Sequence, residues 1–116
     1  MSNAADLDHE LNQMILQGKA LDAFEKFYSD DCIMQEPYGE PHCGKDVNRK
    51  REQEFFASVE EFHGGRVLAQ GHGGDVSFSE TESDVTLKGV GRIQMVQVAV
   101  RRWKNGKIVH ERFYHK

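Results

Sequence analysis

The sequence predicts an α+β fold, a cone-shaped curved antiparallel β-sheet wrapped around N-terminal helices. Three observations carry this. Apolar residues recur at helical spacing through the first half of the chain, alternate with a period of two from Gly64 onward, and meet a tight-turn pair, Asn105-Gly106, near the C-terminus. Helices followed by a meander of long strands place the helices on one sheet face. A curved sheet folded over helices leaves an apolar pocket, the default ligand site.

Leu7, Leu11, Met14 and Ile15 define the first helix, and Asp6, Asp8 and Glu10 suit the positive end of its dipole. Gly18 breaks it. Leu21, Phe24, Phe27 and Tyr28 mark a second helix that ends near Ser29-Asp30-Asp31, and Cys32–Glu36 is a short extended run. Pro37-Tyr-Gly-Glu-Pro41 turns the chain. Asp46 is placed to cap a third helix whose stripe is Val47, Arg51 by its stem, Phe55, Val59 and Phe62. Strands are expected near Arg66–Gly71, Val76–Ser79, Val85–Lys88, Arg92–Lys104 and Lys107–His115. Gly71-His-Gly-Gly74 lacks the ending of a phosphate loop and reads as a turn or bulge.

A chain of 116 residues is one domain, 1–116, and is long enough to bury a core without staples. Met1–Ala5 is set aside as a flexible start that resembles an expression remnant and lacks the basic and apolar stretches of a signal peptide. The net charge of −4 argues against a nucleic-acid binder and against an anionic membrane surface. Arg49, Lys50 and Arg51 form a basic cluster, but Glu52 and Glu54 follow it and a helix spreads the three around its axis. The longest apolar run, Ile93–Val100, is interrupted by glutamines and falls short of the ~20 residues of a membrane span. Cys32 and Cys43 are too few for a disulfide framework and read as reduced thiols of a cytoplasmic protein. The six histidines form no metal motif, and nothing calls for a cofactor.

The last hairpin allows a facing argument. A two-residue turn pairs Lys104 with Lys107, and by strict alternation Arg102 with Val109, Val100 with Glu111 and Val98 with Phe113. Val96, Val98, Val100, Val109 and Phe113 then point inward, with Glu111 and His115 on the same face. Gln97, Ala99, Arg101, His110, Arg112 and Tyr114 form an outer face suited to a wet dimer interface.

Glu36 is the leading catalytic candidate. Pro37 holds it extended, and desolvation in an apolar pocket would make its carboxylate a usable base. Cys32 and Met34 share its side, while Ile33 on the other side is equally apolar, so the facing stays open. Glu111, a lone acid among valines, needs a partner or a function. It either pairs with Arg102, its diagonal neighbour, or forms an acid pair with Glu36. Around them, Tyr28, Met34, His42, Phe56, Val98, Val100, Phe113 and His115 are the expected pocket residues.

The run Phe27-Tyr-Ser-Asp-Asp-Cys-Ile-Met-Gln-Glu-Pro-Tyr-Gly-Glu-Pro-His-Cys-Gly44 resembles ketosteroid isomerase. There, paired aspartates, a short strand and an acid-proline, glycine, proline, glycine run precede the third helix. Trp103-Lys-Asn-Gly-Lys-Ile-Val109 with Phe113-Tyr114 looks like the wider SnoaL-like group. Both belong to the nuclear transport factor two-like superfamily, which shares a cystatin-like fold. The resemblance implies a cone-shaped barrel, a homodimer through the outer sheet face, and a pocket between sheet and helices. Glu36 matches the position of the isomerase's general base. The matching positions of its tyrosine and second acid fall near Leu11 and at Val98 or Ala99, so steroid isomerisation itself is not implied.

Two readings follow. One is a SnoaL-like protein that binds a small, apolar, oxygen-bearing molecule and acts on it without a cofactor, as an isomerase, cyclase or hydratase with Glu36 as base. The other is a non-catalytic binding or dimerisation module. A closed cavity, or Glu36 and Glu111 both paired with arginines, would favour the module. An open pocket of several hundred Å3 with an unpaired carboxylate at its base would favour the enzyme.

Overall fold

A computed structural model describes residues 3–115 of the chain. Three helices lie against a six-stranded sheet of strand order β2-β1-β6-β5-β4-β3. The sheet is antiparallel except where β1 runs parallel to β6, and its two edges do not close. The α+β architecture is as the sequence predicts.

Helix α1 (Ala4–Leu16) starts at Asn3, whose side chain accepts from the Asp6 N–H at 2.9 Å. Asn3 and the buried Ala4 therefore belong to the fold, contrary to the setting aside of residues 1–5; Met1 and Ser2 lie outside the described residues. The chain leaves α1 through Gly18 at φ +79°, which a side chain rarely adopts. Helix α2 (Ala20–Phe27) buries Ala23, Phe24 and Phe27, and strand β1 (Tyr28–Gln35) follows at once. Tyr28 and Ser29–Asp31 are thus strand, not helix end.

A two-residue strand β2 (His42–Cys43) precedes α3 (Lys45–Ala57). Asp46 does not cap α3. Gly44 holds the N-cap position, and Asp46 pairs with Arg49 one turn on. Nor is the inward face of α3 the apolar stripe expected. Val47 is exposed, Val59 and Phe62 lie on the next strand, and the one fully buried residue is Asn48. Its side-chain amide donates to the carbonyls of His42 and Gly44, both at 2.9 Å, and so ties α3 to β2 and to its own N-cap.

Strands β3 (Val59–Gly73) and β4 (Val76–Leu87) are far longer than expected and turn at Gly74-Asp75. The segments Val76–Ser79 and Val85–Lys88 fuse into one strand. The polar stretch between them still alternates, with Ser77, Ser79 and Val85 buried inside and Glu80, Glu82 and Asp84 on the outer face.

Strands β5 (Gly91–Lys104) and β6 (Lys107–Tyr114) join at Asn105-Gly106, both at positive φ, as the tight turn requires. Lys104 faces Lys107 as expected, and Trp103 faces Ile108. Arg102 then faces His110, so Val109 bulges out of the ladder. Beyond the bulge every pairing moves by one: Arg101 with Glu111, Ala99 with Phe113. A one-residue slip exchanges faces. Glu111 and Phe113 do face inward, but opposite them stand Gln97, Ala99 and Arg101. Val96, Val98 and Val100 are on the outer face, the reverse of the expectation.

Buried Leu11, Phe24, Phe27, Tyr28, Cys32, Met34, Trp103 and Ile108 build the core at the closed end of the cone. Trp103 fills that end, its ring edge-on to Phe27 at 6.0 Å and its indole N–H donating to Ser77 at 2.9 Å.

Candidate functional site

Between the helices and the inner sheet face lies a cavity of about 760 Å3. Leu11 and Ile15 of α1, Phe24 of α2, Phe55 and Phe56 of α3, and Val85 and Phe113 of the sheet give it apolar walls. Tyr28, Glu36, Arg51, Glu52, Arg101, Glu111 and His115 are its principal polar groups. Oily walls and a few convergent polar groups are the composition of small-molecule sites.

A buried ionic network forms the inner end. The Arg101 guanidinium donates to Glu111 Oε2 at 2.7 Å, to Asp8 Oδ1 at 2.6 Å and to Asn12 Oδ1 at 3.0 Å. Tyr28 OH lies 2.7 Å from both Glu111 oxygens. Ser79 and Gln70 donate to the other oxygen of Asp8, and Asn12 donates to Ser79. Asp8 and Asn12 stand one turn apart on α1, on the face that meets the sheet. Asp8 therefore serves Arg101 rather than the helix dipole. Burial alone would push the Asp8 carboxyl up, but the Arg101 charge and the hydrogen bonds from Gln70, Ser79 and Arg101 outweigh it and hold it below its ordinary value. Burial and then the Glu111 charge push the Tyr28 hydroxyl well above its ordinary value, which keeps it a neutral donor.

Glu36 follows the last residue of β1 and lines the cavity, its side chain 40% exposed. Arg51 Nη2 and His115 Nε2 each stand 3.7 Å from one of its oxygens. Both contacts are longer than hydrogen bonds, so neither occupies the lone pairs of the carboxylate. Arg51 is steered by Asn48, whose side-chain oxygen accepts from it at 3.2 Å.

Glu52 was not foreseen. It sits four residues after Asn48 on the same face of α3, partly buried in the cavity wall, and makes no hydrogen bond or ion pair among the described residues. Burial, then the charge of Glu111, pushes its carboxyl up to about 7, with Glu36 adding and Arg51 opposing. The sequence reading treated Glu52 as a counter-charge to the basic cluster. Its spacing from Asn48, Phe55 and Phe56 was the available signal.

Of the expected site residues, Tyr28, Glu36, Phe56, Glu111, Phe113 and His115 all reach the cavity. Met34 and His42 do not. Met34 is packed in the core, and His42 lies across from it on the edge strand β2. Val98 and Val100 face away because of the bulge at Val109. The expected Glu111–Arg102 pair is corrected by the same slip, since Glu111 binds Arg101. Among the described residues, no three His, Cys, Asp or Glu side chains are grouped to hold a metal ion, and no helix is long and apolar enough to cross a membrane. Burial, with the Glu111 charge, pushes the Cys32 thiol up to about 11.

The model of the SnoaL-like domain family matches residues 2–115. None of the curated proteins matches the chain. Among solved structures, a proposed SnoaL-like polyketide cyclase from Mesorhizobium loti shares 31% identity at a TM-score of 0.86, covering 98% of this chain and all, 100%, of the other. An NTF2-like protein of unknown function from Burkholderia pseudomallei superposes at a TM-score of 0.83 with 16% identity, over 100% of this chain and 92% of the other. An LEH-like epoxide hydrolase from M. tuberculosis does so at 0.78 with 17% identity, over 97% and 82%. The last two likenesses concern the fold alone.

Proposed function

The chain belongs to the SnoaL-like family, and on that premise we propose that its cavity takes a small, largely apolar, oxygen-bearing molecule and acts on it by cofactor-free proton transfer. Glu36 is the general base of an isomerase, cyclase or hydratase. One observation carries this: an open cavity of about 760 Å3 with apolar walls holds a carboxylate whose nearest guanidinium among the described residues, that of Arg51, stands 3.7 Å away. A base so placed is accessible, held by charge and only partly solvated. Glu111 has a different part. Its oxygens are taken by Tyr28 and Arg101, so it orients those two groups at the inner end. The cyclase assignment of the M. loti protein supports the reaction class.

The test is ring opening of nitrobenzisoxazole, in which a base takes the ring C–H proton, the N–O bond breaks and a coloured phenolate leaves. The protein should outpace acetate at equal carboxylate concentration, and Glu36→Gln should return the rate to background while the fold persists. An undiminished rate in Glu36→Gln would remove Glu36 as the base. The second reading, a binding module without chemistry, is favoured by Glu36 and Glu111 both facing arginines. A wild-type rate no better than acetate would establish it.

The chain also pairs with a second copy through the outer sheet face, in the same proposal. Phe78, Val96 and Tyr114 are exposed there, with Val98 and Val100 between them. Arg102 and Arg112 lie on one flank and Glu80 and Glu82 on the other, so a two-fold axis sets opposite charges together. His110 Nδ1 and Arg112 Nε are enclosed on that face without a hydrogen-bond partner among the described residues.

A further inference from the structure

We propose that Glu52 is the second catalytic group of the site, the acid that hydrogen-bonds to the oxygen of the bound molecule and gives it a proton while Glu36 removes one from carbon. This rests on Glu36 being the base.

The geometry points to Glu52, the half-buried acid of the cavity wall that makes no hydrogen bond or ion pair among the described residues. A negative charge developing on a substrate oxygen needs a donor. Arg101 directs Nε and Nη1 to Glu111, Asp8 and Asn12, Tyr28 gives its hydroxyl to Glu111, and Arg51 gives Nη1 to Asn48 and turns Nη2 toward Glu36. The carboxyl of Glu52 reaches the same space with nothing to bond to. Its protonated form is a donor with no acceptor among the described residues, and the oxygen of a bound molecule completes it. Asn48, one turn before it, pins α3 to two backbone carbonyls, so the carboxyl is presented from an anchored helix. Two carboxyl groups whose surroundings differ this way divide into base and acid.

The proton balance closes on the chain's own groups. Glu36 takes the proton from the carbon beside a carbonyl, the C–H pair becomes the new C=C bond, and the carbonyl π pair moves to oxygen. Oxygen takes the Glu52 proton. Where that carbon also adjoins a C=C bond, Glu36 returns its proton at the far end of the resulting dienol, the O–H pair re-forms the carbonyl as Glu52 recovers its proton, the C=C bond moves into conjugation, and the product is an isomer of the substrate.

The charged and titratable groups that face Glu52 are Glu36 beyond β1, Arg51 on its own helix, Arg101 on β5, and Glu111 and His115 on and after β6. Tyr28 on β1, Lys19 before α2, Asp22 on α2, Ser83 on β4 and Gln97 on β5 complete the polar lining. A histidine also changes charge near neutrality, so His115→Gln serves as a control. The probes are acetophenone, which only accepts hydrogen bonds, and ethylbenzene, which does neither. Acetophenone should bind the wild-type protein about tenfold more weakly at pH 9 than at pH 6, in line with Glu52 losing its proton. Ethylbenzene should bind equally at both. Glu52→Gln, whose amide still donates, should hold acetophenone equally at both pH values; Glu52→Leu should bind it weakly at both. The ketone's carbonyl stretch, shifted to lower frequency by the donated bond, reads the same contact directly. Equal affinity for acetophenone at the two pH values in the wild type, no binding at either, or a pH dependence that survives in Glu52→Gln overturns the inference. His115→Gln should keep the dependence, and its loss there would assign the donor to His115 instead. None of these binding results bears on Glu36, which the ring-opening assay judges separately.

Discussion

Arg101 meets Glu111 because β6 carries one residue too many for its partner. With Val109 pushed out of the ladder, the guanidinium and the carboxylate come to 2.7 Å on the inner face, both almost wholly buried. Burying two charges costs more than their attraction returns unless further hydrogen bonds complete them, which Asp8, Asn12 and Tyr28 do.

Arg101→Met should therefore destabilise the fold by about 3–5 kcal/mol, because it strands Glu111 and Asp8 inside. Urea unfolding at neutral pH measures it. A double replacement, Arg101→Met with Glu111→Gln, should recover part of the loss. A full additive loss would show that the two charges do not support one another.

Glu52→Gln should act in the opposite direction. The Glu52 carboxyl is raised from 4.5 to about 7, so the folded state binds a proton that the unfolded chain releases. Its ionisation cost is absent below about pH 4.5 and is fully present above about pH 7. The variant should match the wild type near pH 4.5 and exceed its stability at pH 8 by on the order of 2 kcal/mol. Unfolding curves at the two pH values decide it, and equal stability of the two proteins at pH 8 would refute the shift.

Asn48→Ala leaves the His42 and Gly44 carbonyls without their side-chain donor and Arg51 without its acceptor. The expected cost is about 2 kcal/mol in urea unfolding. Because Arg51 then loses its bearing on Glu36, the ring-opening rate should fall as well. A stability loss with an unchanged rate would confine Asn48 to the fold.

Val98→Asp puts a charge in the middle of the outer face and nothing in the cavity. Sedimentation equilibrium should give the mass of two chains for the wild type and of one for the variant, with ligand binding retained. A wild-type monomer would refute the pairing.

Cys43 is exposed and Cys32 is buried, with its thiol held up near 11. A maleimide at pH 7 should label Cys43 within minutes and Cys32 only after unfolding, which mass mapping of the labelled peptides resolves. Equal labelling of the two in the native protein would contradict the packing.

The element order and the family were legible because they rest on periodicity and on two local motifs, Phe27–Gly44 and Trp103–Val109. The identity of the inner face was not, because it hangs on one unpaired residue. Val96, Val98 and Val100 look like a core stripe, and strict pairing from Asn105-Gly106 agrees with them. Nothing in the local sequence marks Val109 as the bulge. Arg101 and Asp8 appeared as surface charges for the same reason. Their burial makes sense only together, and they are 93 residues apart. Glu36 was visible through its proline. Glu52 was hidden by a helix whose inward face is polar over its first two turns, which apolar periodicity cannot detect.

That span of 93 residues between Asp8 and Arg101 also sets when the molecule can become stable during its synthesis. The ribosome delivers α1 well before β5, and its inward face carries an acid and an amide that are costly to bury alone. Everything through β4 can emerge before the guanidinium that neutralises them is made. The early helices must therefore remain loosely docked until β5 arrives. The window in which this nascent chain is open to chaperones and proteases closes only with β5 and β6.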